Sequence, residues 1–208
     1  MNESLSINAI LSKRTTFPPG DQVAVTPRIE NASHQFSSLA PQQLFSSVHD
    51  WIFTQLKILP YGVSNPGSVE EEAKRRWKLT ADELLQVGTI YDGKYCNDVV
   101  SLFNSIMLAL GHDSKVAKVF KKNPSGNILV HSLSLVTPSS ERENVFAINA
   151  GGTKENFWVL PVSLNDKVIS DWVVWKIARD QWEMGLTDSS QEKPTIITDA
   201  KKYYQKKM

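Results

Sequence analysis

The alternation of apolar and polar residues changes character near the middle of the chain. Between residues 41 and 59 the apolar positions recur at helical spacing until Pro60-Tyr61-Gly62 interrupts them, which predicts a long amphipathic helix. Beyond Gly111 the chain carries short runs rich in Val, Ile, Leu and Phe that are separated by turn formers. These runs predict an antiparallel meander of four strands, at residues 115–120, 128–136, 144–149 and 157–164.

The most regular pattern lies between these two regions, directly after Cys96. Its apolar positions follow steps of three residues and one residue, and they are Val99, Leu102, Phe103, Ile106, Met107 and Leu110. Gly111 then stands where a helix commonly ends. We therefore predict a helix that begins within about two residues of Asn97 and ends at Leu110 or Gly111. The wide apolar stripe predicts that this helix lies against or inside the core, with Cys96 at its N-terminus.

Two shorter helices are predicted upstream by capping-box motifs, in which Ser or Thr is followed three residues later by Glu. Ser68 with Glu71 marks the start of one helix, and Thr80 with Glu83 marks the start of the other. Both lead into residues 88–95, which we predict to be a loop just before the cysteine.

The two ends of the chain carry weaker patterns. Residues 1–38 contain prolines among short apolar pieces and predict an irregular arm with one or two strands. Residues 170–184 carry tryptophans at helical steps and predict a final amphipathic helix, although a strand over residues 172–177 also fits. Residues 187–208 are polar and predict a frayed tail. We thus divide the chain into an N-terminal arm, one domain over residues 39–186, and the tail.

The composition is typical of one globular domain, with 41% hydrophobic and 22% charged residues in a chain of 208. The 23 Lys and Arg residues balance the 22 Asp and Glu residues, so the net charge of +1 gives no electrostatic reason to expect nucleic acid or an anionic membrane as a partner. The N-terminus has neither the basic residues nor the apolar run of a signal peptide. We predict a cytoplasmic protein, or a secreted or periplasmic one where a leader has been removed.

The sequence contains one cysteine, which excludes an intrachain disulfide and a zinc site built on several cysteines. We predict no metal and no cofactor. A cysteine at a helix N-terminus is chemically special, because the unpaired N–H groups and the positive end of the helix dipole stabilise the thiolate. The alternative is that Cys96 is a small buried hydrophobic residue.

Of the four histidines, at positions 34, 49, 112 and 131, only His131 lies in a predicted strand. It alternates with Leu129, Leu133 and Leu135, so its side chain points to the same sheet face as these leucines. We expect the Cys96 helix to dock on that face. A purely structural, buried histidine is the alternative interpretation.

These segments together resemble the transglutaminase-like superfamily, whose members have a papain-like Cys-His-Asp/Asn fold. The run Gly93-Lys94-Tyr95-Cys96-Asn97-Asp98, followed by an apolar helix and Leu110-Gly111, is similar to the first motif of that family. The run His131-Ser132-Leu133-Ser134-Leu135 resembles the second motif, and Val145-Phe146-Ala147-Ile148-Asn149 resembles the third, in the same order and spacing. The resemblance covers residues 40–165. Asn149 stands where the family usually has Asp. Leu133 stands two residues after His131, where the family commonly has an aromatic residue.

The resemblance implies an α+β fold, in which the helix that bears the nucleophile is packed on an antiparallel β-sheet. It also implies a thiol-dependent enzyme that acts on amide bonds of a protein or peptide substrate through an acyl-enzyme, as a cysteine peptidase, deamidase or transamidase. The catalytic residues would be Cys96 as nucleophile, His131 as base and acid, and Asn149, whose carbonyl oxygen orients the imidazole.

Two other functions stay open at this point. One is a protein-interaction domain that has kept the transglutaminase-like fold and lost the chemistry, which the Asn149 substitution favours. The other is an amidase similar to the peptide N-glycanases.

Overall fold

The computed structural model describes residues 10–11, 14–60, 77–91, 95–187 and 189–206 as an α+β fold. Its helices are α1 (Pro27–Ser33), α2 (Pro41–Gln55), α3 (Ala81–Val87), α4 (Cys96–Ala109) and α5 (Ser189–Gln205). Its strands are β1 (Lys57–Leu59), β2 (Thr89–Tyr91), β3 (Asp113–Lys122), β4 (Ile128–Thr137), β5 (Val145–Ile148), β6 (Val159–Val162), β7 (Val168–Ile169) and β8 (Trp172–Ala178).

The central feature is a six-stranded antiparallel sheet with the strand order β6-β5-β4-β3-β8-β7. Strands β3 to β6 form the predicted meander, which is therefore confirmed. β3 and β4 pair along their whole length, whereas the β4–β5 pairing ends at Ser134 and Ile148. In the described part of the chain, the first half of β4 is thus paired with β3 alone. The short strands β1 and β2 pair in parallel away from this sheet.

The two faces of the sheet bury different side chains, because successive residues of a strand point to opposite faces. Helix α4 packs on the face that carries Val116, Val136 and Ile148. The opposite face carries a second cluster that includes Leu133 and Leu135. The main core thus lies between the sheet and α4, with α1 and α2 on the outside.

The prediction that α4 docks on the face of His131 is wrong. His131 alternates with Leu133 and Leu135 and therefore belongs to the face opposite α4. The side of β4 toward α4 carries Ser132 and Ser134, both fully buried. Small side chains at these two positions let the helix approach the sheet closely, and the larger leucines fill the other side.

The helices around the core agree with the sequence patterns in most places. Helix α4 runs from Cys96 to Ala109, which confirms its prediction. The capping box at Thr80 and Glu83 is formed with both of its hydrogen bonds and starts α3. Helix α2 ends at Gln55, four residues before the predicted Leu59, because the residues that follow form β1. The predicted helix start at Ser68 lies outside the described residues, and the predicted loop over residues 88–95 contains β2.

The prediction of a final helix over residues 170–184 is wrong, and the strand alternative is confirmed. Trp172–Ala178 form β8, which pairs with the edge of β3 that would otherwise present unpaired backbone groups. A spacing of three residues between tryptophans does not separate helix from strand by itself. Trp182 lies in the turns that follow and donates from Nε1 to the carbonyl oxygen of Trp77 at 2.9 Å.

The ends of the chain are more ordered than their composition predicts. The N-terminal arm contains helix α1 where strands were expected, because the Thr26 side chain caps it at Ile29 N and Pro27 fits its first turn. The prediction of a frayed tail is wrong for Ser189–Gln205, which form α5. Two apolar residues one turn apart, Ile196 and Ala200, are buried against the sheet and hold this polar helix in place.

Candidate active site

Cys96 is the first residue of α4 and lies where the buried helix reaches the surface of the core. The eleven residues that follow it, Asn97 to Met107, are all buried, whereas Cys96 is partly exposed. The N-cap residue Tyr95 makes no side-chain capping bond. The backbone N–H groups of the first turn are therefore directed toward the end of the helix where the thiol lies.

His131 and Asn149 are bound to each other on the far face of the sheet. His131 Nε2 lies 2.6 Å from Asn149 Oδ1. The other end of the amide is also fixed, because Asn149 Nδ2 donates to the carbonyl oxygen of Asn156 at 2.7 Å. The amide oxygen therefore accepts from Nε2–H, and this tautomer leaves the lone pair on Nδ1. The Trp172 ring lies beside the imidazole, with 5.2 Å between ring centroids.

Cys96 lies against the two chain segments that carry this pair. A Cβ atom placed on Gly151 would come within 2.8 Å of Cα and Cβ of Cys96, so the backbone two residues after Asn149 touches the cysteine. The backbone N–H of Ser132, next to His131, interacts with the sulfur. The cysteine thus lies at the end of the β4–β5 ladder, where the two strands separate.

The thiol itself points to Asn97. Cys96 Sγ lies 3.8 Å from Asn97 Oδ1 and, in the part of the chain that the structure describes, makes no hydrogen bond with His131. From the sequence we expect the sulfur to lie within about 4 Å of a ring nitrogen of His131, and this stays a prediction.

A buried polar network lies beneath the thiol on the α4 side of the sheet. Lys118 Nζ donates to Asn97 Oδ1 at 2.9 Å and to Ser132 Oγ at 3.0 Å, and Ser132 Oγ donates to Asn97 Oδ1 at 2.6 Å. The Lys118 side chain is 1% exposed. Sequence reasoning missed this residue, although its signal was present: a lysine in the middle of the apolar run Val116-Ala117-Lys118-Val119-Phe120 of a predicted strand.

Burial dominates the protonation of the three titratable groups. Burial raises the pKa of the Cys96 thiol, and Asp98 raises it further. Lys118 and the neighbouring backbone N–H groups act in the opposite direction and lower it. Burial lowers the pKa of His131 below its usual value, against the hydrogen bond with Asn149. It lowers the pKa of Lys118 to about 8, against the interaction with Cys96. At neutral pH the resting site therefore holds a thiol, a neutral imidazole and an ammonium group.

His49 supports the loop that follows Asn149 and touches the start of α4. Its ring is 1% exposed, and Nε2 lies 3.1 Å from the carbonyl oxygen of Gly152. Phe53 and Phe157 enclose the ring, with centroids at 4.9 Å and 4.6 Å. Gly152 in turn lies against the Asn149 amide, since a Cβ there would be 2.7 Å from Nδ2. The sequence placed His49 on a helix, and its position on the apolar side of that helix was the available signal.

The described residues contain no group of three or more His, Cys, Asp or Glu side chains that could hold a metal ion. Within the same ranges, no helix is long and apolar enough to cross a membrane.

Comparison with known proteins adds little to this geometry. No family model matches the chain, and no curated protein matches it. One solved structure, of a candidate cysteine protease from Cytophaga hutchinsonii, is similar over 75% of this chain, with a TM-score of 0.46 and 13% sequence identity. The matched part is 43% of that longer chain. Any functional assignment therefore depends on the site itself.

Proposed function

We propose that this chain is a thiol-dependent enzyme that acts on amide bonds of a protein or peptide, on a papain/transglutaminase-like core. The observation that carries the proposal is the 2.6 Å contact between His131 Nε2 and Asn149 Oδ1, beside the N-terminus of the helix that begins with Cys96. A nucleophile, a base and a group that orients the base are the parts that covalent catalysis on an amide requires.

The first half of the reaction forms an acyl-enzyme. The sulfur of Cys96 attacks the amide carbon while its proton passes to Nδ1 of His131, and the electron pair of the C=O π bond moves to oxygen. The backbone N–H of Cys96, at the start of α4, donates to this oxyanion. The intermediate collapses when the C–N bond breaks and the imidazolium of His131 gives its proton to the leaving amine. Asn149 holds the ring in the required tautomer throughout.

The second half regenerates the thiol. Water attacks the thioester carbon, gives a proton to the neutral His131, and the C–S bond breaks as the sulfur takes that proton back. An amine in place of water would give transfer instead of hydrolysis. We favour hydrolysis over transfer.

One observation favours the alternative of a non-catalytic interaction domain. The thiol hydrogen-bonds to Asn97 instead of His131, and burial raises the pKa of Cys96. A cysteine held in this way would be a structural residue with weak nucleophilicity. The two functions differ in whether the sulfur forms a covalent adduct with the help of His131.

Acylation of the thiol tests the proposal directly. The protein is mixed with p-nitrophenyl acetate, nitrophenol release is followed, and the added mass is located by peptide mass spectrometry. We expect stoichiometric acylation of Cys96, none of it in Cys96→Ala, and a rate at least about tenfold lower in His131→Ala. His112→Ala is the matched control, because its ring binds Ser139 at the other end of α4. Equal rates in His131→Ala and the wild type would sink the catalytic assignment and favour the interaction domain.

The products then separate the three amide reactions. A mixture of peptides rich in Gln and Asn is incubated with the protein in the presence and absence of dansylcadaverine. New peptide N-termini indicate a peptidase, a gain of about one mass unit at Gln or Asn indicates a deamidase, and incorporation of the amine indicates a transamidase. Release of glycan-bearing amines from a glycopeptide would indicate the glycanase-like alternative.

A further inference from the structure

Lys118 places an ammonium group inside the core, where charge is costly unless it is compensated. The side chain leaves the middle of β3 toward α4 and is 1% exposed. Asn97 Oδ1 and Ser132 Oγ lie 2.9 Å and 3.0 Å from Nζ, and the Trp77 ring centroid lies at 4.9 Å. These three neighbours are uncharged and solvate the ammonium group. The strand is irregular at this point, because its register with β8 shifts between Lys118 and Val119.

The network connects this cation to the sulfur of Cys96. Asn97 Oδ1 accepts from Lys118 Nζ at 2.9 Å and from Cys96 Sγ at 3.8 Å, so one atom separates the ammonium from the thiol. Ser132 closes the same group, through its Oγ to Asn97 and its backbone N–H to the sulfur. The sulfur thus accepts from the backbone N–H groups of Asn97 and Ser132, whereas its thiol donates to Asn97 Oδ1.

Other titratable groups near Cys96 and Lys118 lie on α4, β4 and β8. Asp98 of α4 raises the pKa of Cys96, and His131 of β4 becomes a cation only after it accepts a proton. Lys176 is the register partner of Lys118 on β8, and its ammonium group lies over the partly buried Trp175 ring. Lys118 and Cys96 each favour the charged form of the other. Lys118 and Lys121 also lower the pKa of His131.

We propose that Lys118 is a positioning residue of the Cys96 site, and that its ammonium group, held by Asn97 and Ser132, is the counter-charge that stabilises the sulfur as a thiolate. The catalytic consequence rests on the proposed function, but the coupling itself is a property of the resting protein. Lys118 keeps its proton throughout the reaction. The proton that leaves Sγ passes to Nδ1 of His131, and the thiolate then lies between an imidazolium on one face of the sheet and an ammonium on the other.

Alkylation of Cys96 as a function of pH tests this coupling without any substrate. Because the chain has one cysteine, the rate with iodoacetamide between pH 5 and 10.5 reports the pKa of that thiol alone. We expect Lys118→Met to raise this pKa by about one unit or more and to slow alkylation at pH 7 about tenfold. Lys118→Arg retains the charge and should keep the wild-type pKa more closely. Lys122→Met removes the same formal charge from an exposed position of the same strand and should change nothing. A Lys118→Met protein with the wild-type thiol pKa would overturn the proposal.

The reciprocal variant covers the case in which Lys118→Met does not fold. The Ser132–Asn97 bond of 2.6 Å survives the loss of the lysine, which favours folding, but Cys96→Ala is the milder change. Lysine labelled with ¹³C at Cε is followed by NMR in the wild type and in Cys96→Ala. Linkage requires that the pKa of Lys118 falls in Cys96→Ala by as much as the thiol pKa rises in Lys118→Met. An unchanged Lys118 pKa would refute the counter-charge, whereas absence of all amidase activity with both shifts present would refute only the proposed function.

Discussion

The two faces of β4 carry different parts of the same site. On the face away from α4, His131 is bound to Asn149 and lies beside Trp172, so this face holds the proposed base. On the face toward α4, Ser132 lies beside Lys118 and Asn97, so this face holds a fixed positive charge. Cys96 lies at the end of the β4–β5 ladder, against Gly151 and the backbone of Ser132. The adjacent residues His131 and Ser132 thus connect to the two parts of the proposed site, the base on one face and the Lys118 ammonium group on the other.

The β4–β5 ladder is short, and its end lies beside the start of α4. A continued ladder would pair residues 132 and 133 with the chain after Ile148 and would close the gap between the strands. Instead the chain turns at Gly151 and Gly152 and leaves room for the start of α4. The end of the ladder is therefore the place where the start of α4 lies against the backbone of both strands' segments.

The largest expected effect is on the His131 face. His131→Ala removes the proton acceptor and should lower the rate of amide cleavage by about 10²- to 10⁴-fold. Leu129→Ala is the matched control, because Leu129 lies on the same face of the same strand and is 39% exposed. Steady-state rates on the best peptide of the product assay measure both variants. A loss in Leu129→Ala as large as in His131→Ala would show that the face matters for packing and not for proton transfer.

The second effect concerns the other face and appears as a pH dependence of stability. The unfolded chain protonates Lys118 at its usual pKa of 10.5, whereas the folded protein does so only at about 8. The unfolded state therefore binds more protons between these values, and the Lys118 contribution to the free energy of unfolding rises as the pH increases from 8 to 10.5. The full shift corresponds to about 3 kcal/mol.

Chemical denaturation at pH 7.5 and pH 10 measures this dependence. The stability of the wild type relative to Lys118→Met should rise with pH across the window, while Lys122→Met should follow the wild type. Cys96 acts in the opposite direction, because its raised pKa makes the folded state lose stability as the unfolded thiol ionises. The loss of Lys118 raises that thiol pKa further, so both contributions give the difference the same sign. A difference that falls with pH would contradict the buried ammonium group.

A smaller effect is expected at Gly151, where the loop after Asn149 touches the start of α4. Gly151→Ala would place a Cβ atom 2.8 Å from Cα, Cβ and the carbonyl oxygen of Cys96, so the loop and the helix start must separate. We expect a loss of about 1–3 kcal/mol in stability, with a fall in activity from the displaced sulfur. Gly111→Ala, at the opposite end of α4, has a strained φ of +80° and no atom within 4 Å of the new Cβ. It should lose about 1–2 kcal/mol of stability and retain its activity per folded molecule.

The sequence predicted the elements of this site better than their arrangement. Regular apolar steps fixed α4 to within a residue, and alternation fixed β4, because both periods are long enough to count. The predicted packing face of α4 was wrong because alternation divides a strand into two sides without saying which side meets the helix. Here the side with the buried Ser132 and Ser134 meets it. Lys118 was overlooked because a charged residue in a strand is normally exposed. Helix α5 was missed because two apolar contacts, at Ile196 and Ala200, hold a helix whose composition is otherwise polar.

The smallest expected effect comes from Asn149→Asp, which tests how the His131 face is tuned. A carboxylate beside Nε2 favours the imidazolium, so the pKa of His131, now lowered by burial, should rise by about one unit or more. The acid limb of the pH–rate profile should shift upward with it, since the base acts in its neutral form. The rate at the optimum should change by less than about tenfold, because the acceptor oxygen that orients the ring is retained.

The same substitution carries a structural cost that can be measured separately. The Asn149 amide nitrogen donates to the carbonyl oxygen of Asn156 at 2.7 Å, and a carboxylate oxygen in that place has no proton to donate. We expect a loss of about 1–3 kcal/mol in stability, which Asn156→Ala would not reproduce because it retains that backbone carbonyl. NMR titration of the His131 ring gives the pKa, and denaturation gives the stability. A His131 pKa that does not move in Asn149→Asp would mean that this side chain does not orient the imidazole, and the assignment of the base would then lose its main support.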